Sequence, residues 1–161
     1  MMMTKSVAEW VTSLNMKTHP EGGYFREIEK SHDKIQIDGK ERSLFTSIYF
    51  LLEKENPSHF HRLTADEIWY YHEGQPLTVH MITPEGTYEK VLLGKDMSKN
   101  EVLQYRVPKG TIFGSTVEEG FALVSCMVSP GFEFEDFELF SREELLAQYP
   151  EYEVIIKQLT K

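Results

Sequence analysis

Two histidines one residue apart, His59 and His61, are followed by Asp66-Glu67 and then by Gly74. In a β-strand, side chains i and i+2 point to the same face, so both imidazoles can look into one cavity, where a carboxylate from a neighbouring strand can join them. Such a set can hold a metal, move protons or orient a polar ligand. Without a metal, His61 titrates near neutral pH. Glu67, partly desolvated inside a barrel, has its pKa raised, so the pair is suited to exchanging protons with a substrate.

Other residues extend this constellation. Counting alternate positions from Glu67 puts Trp69 and Tyr71 on the same face, an aromatic wall for a sugar ring or flat heterocycle. Tyr24 and Arg26 also share a face; Tyr24 can donate a proton or hydrogen bond, and Arg26 can pair with a carboxylate or phosphate. Glu21 is a candidate ligand-binding group at the barrel mouth, with a solvated carboxylate as its competing reading. His19, before Pro20, reads as a turn residue and His32 as part of a polar loop. His72 and His80, alternating with apolar neighbours, read as facing away from the site. Gly22-Gly23 reads as a sharp turn. The stretch Glu133 to Asp136 alternates with aromatics and predicts a half-exposed strand packing Phe132 and Phe134. Cys126, the only cysteine, lies in an apolar run and predicts a small buried core residue.

The elements that must position these groups are mostly short strands. From Leu44 onward, apolar or alternating runs (44–52, 58–63, 67–72, 77–82, 87–93, 102–107, 111–114 and 121–128) are separated by turn signals such as Asn56-Pro57, Pro84-Glu85-Gly86 and Pro108-Lys109-Gly110. That succession predicts a sandwich or barrel rather than a βαβ fold. Asp38-Gly39 predicts an exposed hairpin or loop. Val7, Trp10, Val11 and Leu14 have helical spacing behind a Ser6/Glu9 capping box, and a second capping box, Ser141 to Glu144, opens a helical C-terminal part. These helices are expected to pack outside a β-core, in one domain spanning residues 1–161.

Taken together, the quoted residues resemble the two signature motifs of the cupin superfamily: histidines leading to Glu67 and Gly74, then Pro108-Lys109-Gly110. More specifically, His19 to Glu27, Ser47 to Leu52, His61 to Trp69, Val107 to Thr111 and Val128 to Phe137 resemble a small cupin family of uncharacterised function, over nearly the whole chain. The resemblance implies a double-stranded β-helix jelly roll, paired as a homodimer, with its site inside the barrel mouth. In metal-binding cupins the later motif supplies a further histidine; Phe113 stands there in this chain and is counted as a ligand-lining group. Measured back from Glu67, His61 takes the first histidine position and Leu63 the second, leaving too few ligands for a tight metal site. With a loop one residue longer, His59, His61 and Glu67 form a two-histidine, one-carboxylate facial set of the kind iron oxygenases use. The metal-free reading is preferred, with no cofactor. By analogy with jelly-roll sugar-nucleotide epimerases, it makes His61, Glu67 and Tyr24 the catalytic candidates.

Composition narrows the partners. The chain has 161 residues, with 17 Lys+Arg against 26 Asp+Glu and a formal charge of -9, and no basic run interrupts the acidic balance. Nucleic acid is therefore not an expected partner, since phosphate neutralisation needs clustered Lys and Arg. No apolar stretch approaches the length of a membrane span, the N-terminal residues lack the apolar core of a signal peptide, and a cytoplasmic protein is the simplest expectation. Three functional readings follow: a metal-independent acid/base isomerase or epimerase on a sugar-like or nucleotide-sugar-like ligand, a metal-dependent oxygenase or isomerase, and a non-catalytic ligand-binding module.

Overall fold

The computed structural model describes residues 5–161. Their elements run α1 (Val7–Ser13), β1 (Lys17–Thr18), β2 (Tyr24–Lys30), β3 (Lys34–Ile37), β4 (Lys40–Ser43), β5 (Thr46–Glu53), β6 (Ser58–Arg62), β7 (Asp66–Gly74), β8 (Leu77–Ile82), β9 (Tyr88–Leu93), β10 (Gln104–Val107), β11 (Ile112–Val117), β12 (Phe121–Ser129), β13 (Glu138–Leu139), α2 (Arg142–Gln148) and α3 (Glu153–Gln158). The strands form a six-stranded sheet in the order β1-β2-β5-β12-β7-β10, a five-stranded sheet in the order β13-β6-β11-β8-β9, and the separate β3-β4 hairpin. All the sheet ladders are antiparallel.

Strand alternation sorts the side chains into an inner and an outer set. Phe50, Leu52, Trp69, Val79, Met81, Phe113, Val124 and Cys126 pack together between the two large sheets. Outside the five-stranded sheet, Phe60, Ile82 and Ile112 are covered by Leu145, Ile156 and Leu159 of the C-terminal helical part. Outside the six-stranded sheet, Leu51 and Leu123 are covered by Val7, Trp10 and Val11 of α1. The helices thus pack on the outside, as their apolar faces predict. The hydroxyls of Ser6 and Ser141 accept from the backbone N–H groups of Glu9 and Glu144, which satisfies one orphan donor at each helix start.

Two local features depart from the sequence expectation or refine it. Asp38 and Gly39, both at positive φ, form the two-residue turn of the β3-β4 hairpin. The segment expected as a strand over Glu133 to Asp136 instead contains a 3-10 turn, Phe134–Asp136. Its charges leave the sheet direction because Arg42 captures two of them: Nε donates to Asp136 Oδ2 at 2.7 Å, and Nη2 donates to Glu135 Oε1 at 2.7 Å and to Asp136 Oδ1 at 2.9 Å.

Candidate functional site

A pocket opens between the two sheets, with about 590 Å³ of empty space including its mouth. The strands contribute Phe25 and Glu27 from β2, Thr46 and Ile48 from β5, His61 from β6, Glu67 from β7, and Cys126 and Val128 from β12. Two loops complete it: the turn before β2 brings His19 and Glu21, and the segment after β12 brings Phe132, Phe134 and Phe137.

The turn over residues 19–23 is fixed by backbone bonds at both ends. His19 N–H donates to Gly23 O and Gly22 N–H to His19 O, each at 3.0 Å. Gly22 has φ +113°, and a Cβ there would lie 1.9 Å from the Pro57 carbonyl oxygen, so only glycine fits. Gly23 N–H donates to Asn56 Oδ1 at 3.0 Å. His59 clamps the same turn from outside, its backbone N–H and its ring Nδ1–H both donating to the Glu21 carbonyl at 2.7 Å.

This clamp drives the Glu21 carboxylate inward. Its Oε2 lies 2.7 Å from His61 Nε2, and both side chains are buried. Nδ1 of His61 lies 2.7 Å from the His59 carbonyl oxygen; a carbonyl only accepts, so Nδ1 carries a proton. Burial alone would lower the His61 pKa, but the charge and hydrogen bond of Glu21, the His59 carbonyl and the Glu67 charge outweigh it and raise it. Burial alone would likewise raise Glu21, yet the charge and hydrogen bond of His61 hold it below its ordinary value. The pair is an imidazolium–carboxylate couple.

Glu67 has the opposite environment. Burial, reinforced by the Glu21 charge, pushes its carboxyl up to about 7 against the opposing His61 charge and the Trp69 hydrogen bond. Trp69 Nε1–H donates to Glu67 Oε1 at 2.7 Å; the other oxygen has no hydrogen-bond partner among the described residues. His19 is held neutral, since burial lowers its pKa more than Glu21 raises it. Its Nδ1 accepts from the Glu21 backbone N–H at 3.1 Å, which leaves the proton on Nε2. The Cys126 thiol is buried and raised well above its ordinary pKa, so it stays protonated.

The sequence-derived candidates divide accordingly. His61, Glu67 and Glu21 meet in the pocket, and Glu21 is buried and paired rather than solvated. Phe113 lies behind His61, ring centroids 4.2 Å apart, and supports it without lining the pocket. Trp69 is a core residue that orients Glu67, and Tyr71, further along β7, donates its hydroxyl to Gly74 O at 2.6 Å. Neither forms a pocket wall. Tyr24 and Arg26 do share a face, but it is the outer one: Tyr24 packs under α1 and Arg26 lies half-buried there, its Nε donating to Glu27 O. The alternation that turns Phe25 and Glu27 inward turns these two out. His72 and His80 also lie on outer faces; His80, between Tyr88 and Thr116, is lowered to about 4, mainly by burial.

The alternative facial set does not assemble. The register of β6 against β11 shifts between Phe113 and Ser115, and His59 lies beside Leu139, Phe140 and Glu144 outside the pocket. At His61, Nδ1–H is committed to a carbonyl and Nε2 to Glu21, so the ring offers no lone pair to an ion. Among the described residues, no three or more His, Cys, Asp or Glu side chains are grouped to hold a metal. The residues present therefore do not fit the metal that a cupin fold can carry. Two contributors escaped sequence reasoning: His19, taken as a turn residue, and the aromatic wall of Phe132, Phe134 and Phe137. The signal for the latter was Phe at alternating positions beside Gly131, where a strand was expected instead.

Comparison with known proteins agrees with this architecture. A family model described as "Cupin superfamily (DUF985)" matches residues 8–140. A hypothetical protein from Leishmania major is 41% identical, with a TM-score of 0.93 over 97% of this chain and 99% of that one. A protein of solved structure from Shewanella oneidensis is 47% identical, again with a TM-score of 0.93, covering 98% of this chain and 99% of that one. An uncharacterized protein of Saccharomyces cerevisiae is 28% identical across 88% of this chain and 78% of its own length. Oxalate decarboxylase from Bacillus subtilis shares the fold at 16% identity, with a TM-score of 0.56 over 88% of this chain and 36% of that one.

Proposed function

The chain belongs to the family described as Cupin superfamily (DUF985), and from that premise we propose that its pocket binds a small polar molecule and moves protons on it, as a metal-independent isomerase or epimerase does. The observation that carries this reading is one pocket holding two buried carboxylates with opposed environments. Glu21 is kept ionised by His61 at 2.7 Å, while Glu67 is pushed up to about 7. Titratable groups driven apart in this way divide acid and base roles between them, and a pKa near the working pH favours transfer in either direction. Glu67 is the group that gives and takes the proton, replacing Tyr24, whose outward position removes it from the role. His61 holds the Glu21 carboxylate in place as a neutral ion pair beside Glu67, and neutral His19 offers a hydrogen bond from Nε2 to developing negative charge.

Within the sugar-like ligand class, the free sugar is favoured over the nucleotide-sugar. No Lys or Arg lines the pocket among the described residues, so a diphosphate would find no countercharge there. The protein is further read as a homodimer, supported by exposed Ile28 and Phe45 at and beside the six-stranded sheet and checked by light scattering. The functional test is incubation with a panel of reducing sugars in D2O, followed by NMR. The expected result is deuterium entering a C–H next to a carbonyl, lost in Glu67→Gln. Saturable binding without exchange would reduce the protein to a binding module, and no stabilisation by any sugar in a thermal-shift screen would remove the sugar assignment.

A further inference from the structure

The pocket's outer half is unlike its proton-transfer end. Phe25, Phe132, Phe134 and Phe137 line it, and their rings stand at steep angles to one another or to His19. The interplanar angles are 83° for Phe132–Phe134, 65° for Phe132–Phe137, 78° for Phe134–Phe137 and 72° for His19–Phe25. Packed edge to face with centroids 4.7 to 6.2 Å apart, these rings form a continuous aromatic surface that turns both edges and faces toward the pocket. Phe134 remains 54% exposed, so this is the side of a mouth and not a closed core.

The charged side chains that line the pocket are one-sided. The His61 cation is neutralised by Glu21, leaving Glu67 at the inner end and exposed Glu27 at the mouth, with no Lys or Arg among the lining residues. Aromatic quadrupoles attract cations at their faces, and desolvated carboxylates reinforce the attraction. One ring already shows the preference: Lys17 Nζ sits 5.4 Å from the Phe25 centroid. The segment bearing three of the rings is held in place by Arg42 on Asp136 and Glu135, by Lys30 on Glu133 at 3.0 Å, and by Phe132 N–H donating to Thr46 Oγ1 at 2.9 Å. The walls are therefore set before any ligand arrives, which lowers the ordering cost of binding.

We propose that the ligand of this pocket is a small organic cation, a molecule bearing a protonated or quaternary amine that sits among Phe25, Phe132, Phe134 and Phe137 and is countered by Glu27 and Glu67. This rests on the reading that the pocket is the ligand site and specifies the ligand's charge. An amine here draws the Glu67 proton off, so binding releases protons at neutral pH, whereas a neutral ligand leaves that proton in place.

The experiment compares two matched pairs by titration NMR, following amide shifts of Cys126 and Val128: choline against its uncharged isostere 3,3-dimethylbutan-1-ol, and glucosamine against glucose. The expected result is at least about tenfold tighter binding of the charged member of one pair, by the size of a cation–π contact supported by charge. Phe134→Leu, at an exposed position that leaves the fold intact, and Glu67→Gln should each weaken that binding about fivefold or more. Equal binding of charged and neutral members with shifts confined to pocket residues would overturn the cation assignment while leaving the pocket as the ligand site. No pocket shift with any of the four probes would also overturn it, and the deuterium-exchange screen then decides the proton-transfer reading separately.

Discussion

Replacing Glu67 by glutamine should make the protein more stable at alkaline pH relative to acid pH, because the native state holds a proton that the unfolded chain gives up. The carboxyl stands at about 7 in the fold against an ordinary 4.5. The difference, 7 − 4.5 = 2.5 pKa units at about 1.36 kcal/mol each, is about 3 kcal/mol. Between those two values the unfolded state binds fewer protons than the native state, so stability falls as pH rises, and the loss is complete above the folded value. Glutamine cannot ionise and so removes the loss. Its amide oxygen can still accept from Trp69 Nε1–H, which preserves the one hydrogen bond the carboxylate makes.

The neighbours titrate in both proteins. His61, with its pKa raised, stabilises fully below its unfolded value and loses that contribution as pH climbs through its folded one. Glu21, lowered, stabilises above its unfolded value and loses the contribution as pH falls. Both largely cancel in a comparison of variant with wild type, as does any constant cost of the substitution. Urea unfolding followed by tryptophan fluorescence should therefore show the variant gaining about 2 to 3 kcal/mol on the wild type between about pH 5 and about pH 8. Curves that run parallel to within about 0.5 kcal/mol would refute the desolvated-carboxyl argument, and with it the acid/base role built on that argument.

Removing one partner of the buried pair should be costly: His61→Ala leaves Glu21 buried without its cation and is expected to lose about 3 to 5 kcal/mol, measurable by denaturant unfolding, with a smaller loss when Glu21→Gln is added. Gly22→Ala forces a Cβ into the Pro57 carbonyl, so it should destabilise by more than about 1 kcal/mol and weaken pocket binding together, because the turn that carries Glu21 must move. Arg42→Ala should speed amide exchange across residues 131–137 while leaving exchange in β12 unchanged, since Arg42 holds that segment through Asp136 and Glu135. Tyr24→Phe and Arg26→Ala should leave ligand affinity within about twofold of wild type, because both side chains lie on the outer sheet face.

The fold was legible because its information is local and periodic. The alternation Phe50, Leu52 on one face and Tyr49, Leu51 on the other needs only the two-residue repeat of a strand, and the punctuation at Pro84-Glu85-Gly86 and Pro108-Lys109-Gly110 marks where strands end. The helices were readable from Ser6 and Ser141, each a side chain completing an N-terminus three residues away. The shared inner face of Glu67 and Trp69 follows from the same periodicity. Parity within a strand does not say which of its two faces is inside, and here that ambiguity misassigned Tyr24 and Arg26. Phe25 carries the inward face of β2, and no feature of Tyr24-Phe25-Arg26 alone distinguishes the two choices.

The rest of the site lies in loops, and loops are positioned by bonds between residues far apart in sequence. Glu21 points at His61 because its carbonyl is gripped by His59, thirty-eight residues away, and because Gly23 N–H finds Asn56 Oδ1. The Phe132–Phe137 wall stands where it does because Arg42 reaches Asp136, ninety-four residues away. His59 itself illustrates the limit: it shares the i, i+2 relation with His61, yet the register shift of β6 against β11 turns it out of the cavity, and its work becomes holding the turn that brings His61 a carboxylate. The two histidines that looked like a pair of ligands are thus a proton-bearing group and its positioning residue. That division follows from where each nitrogen finds an acceptor, which residue spacing alone does not encode.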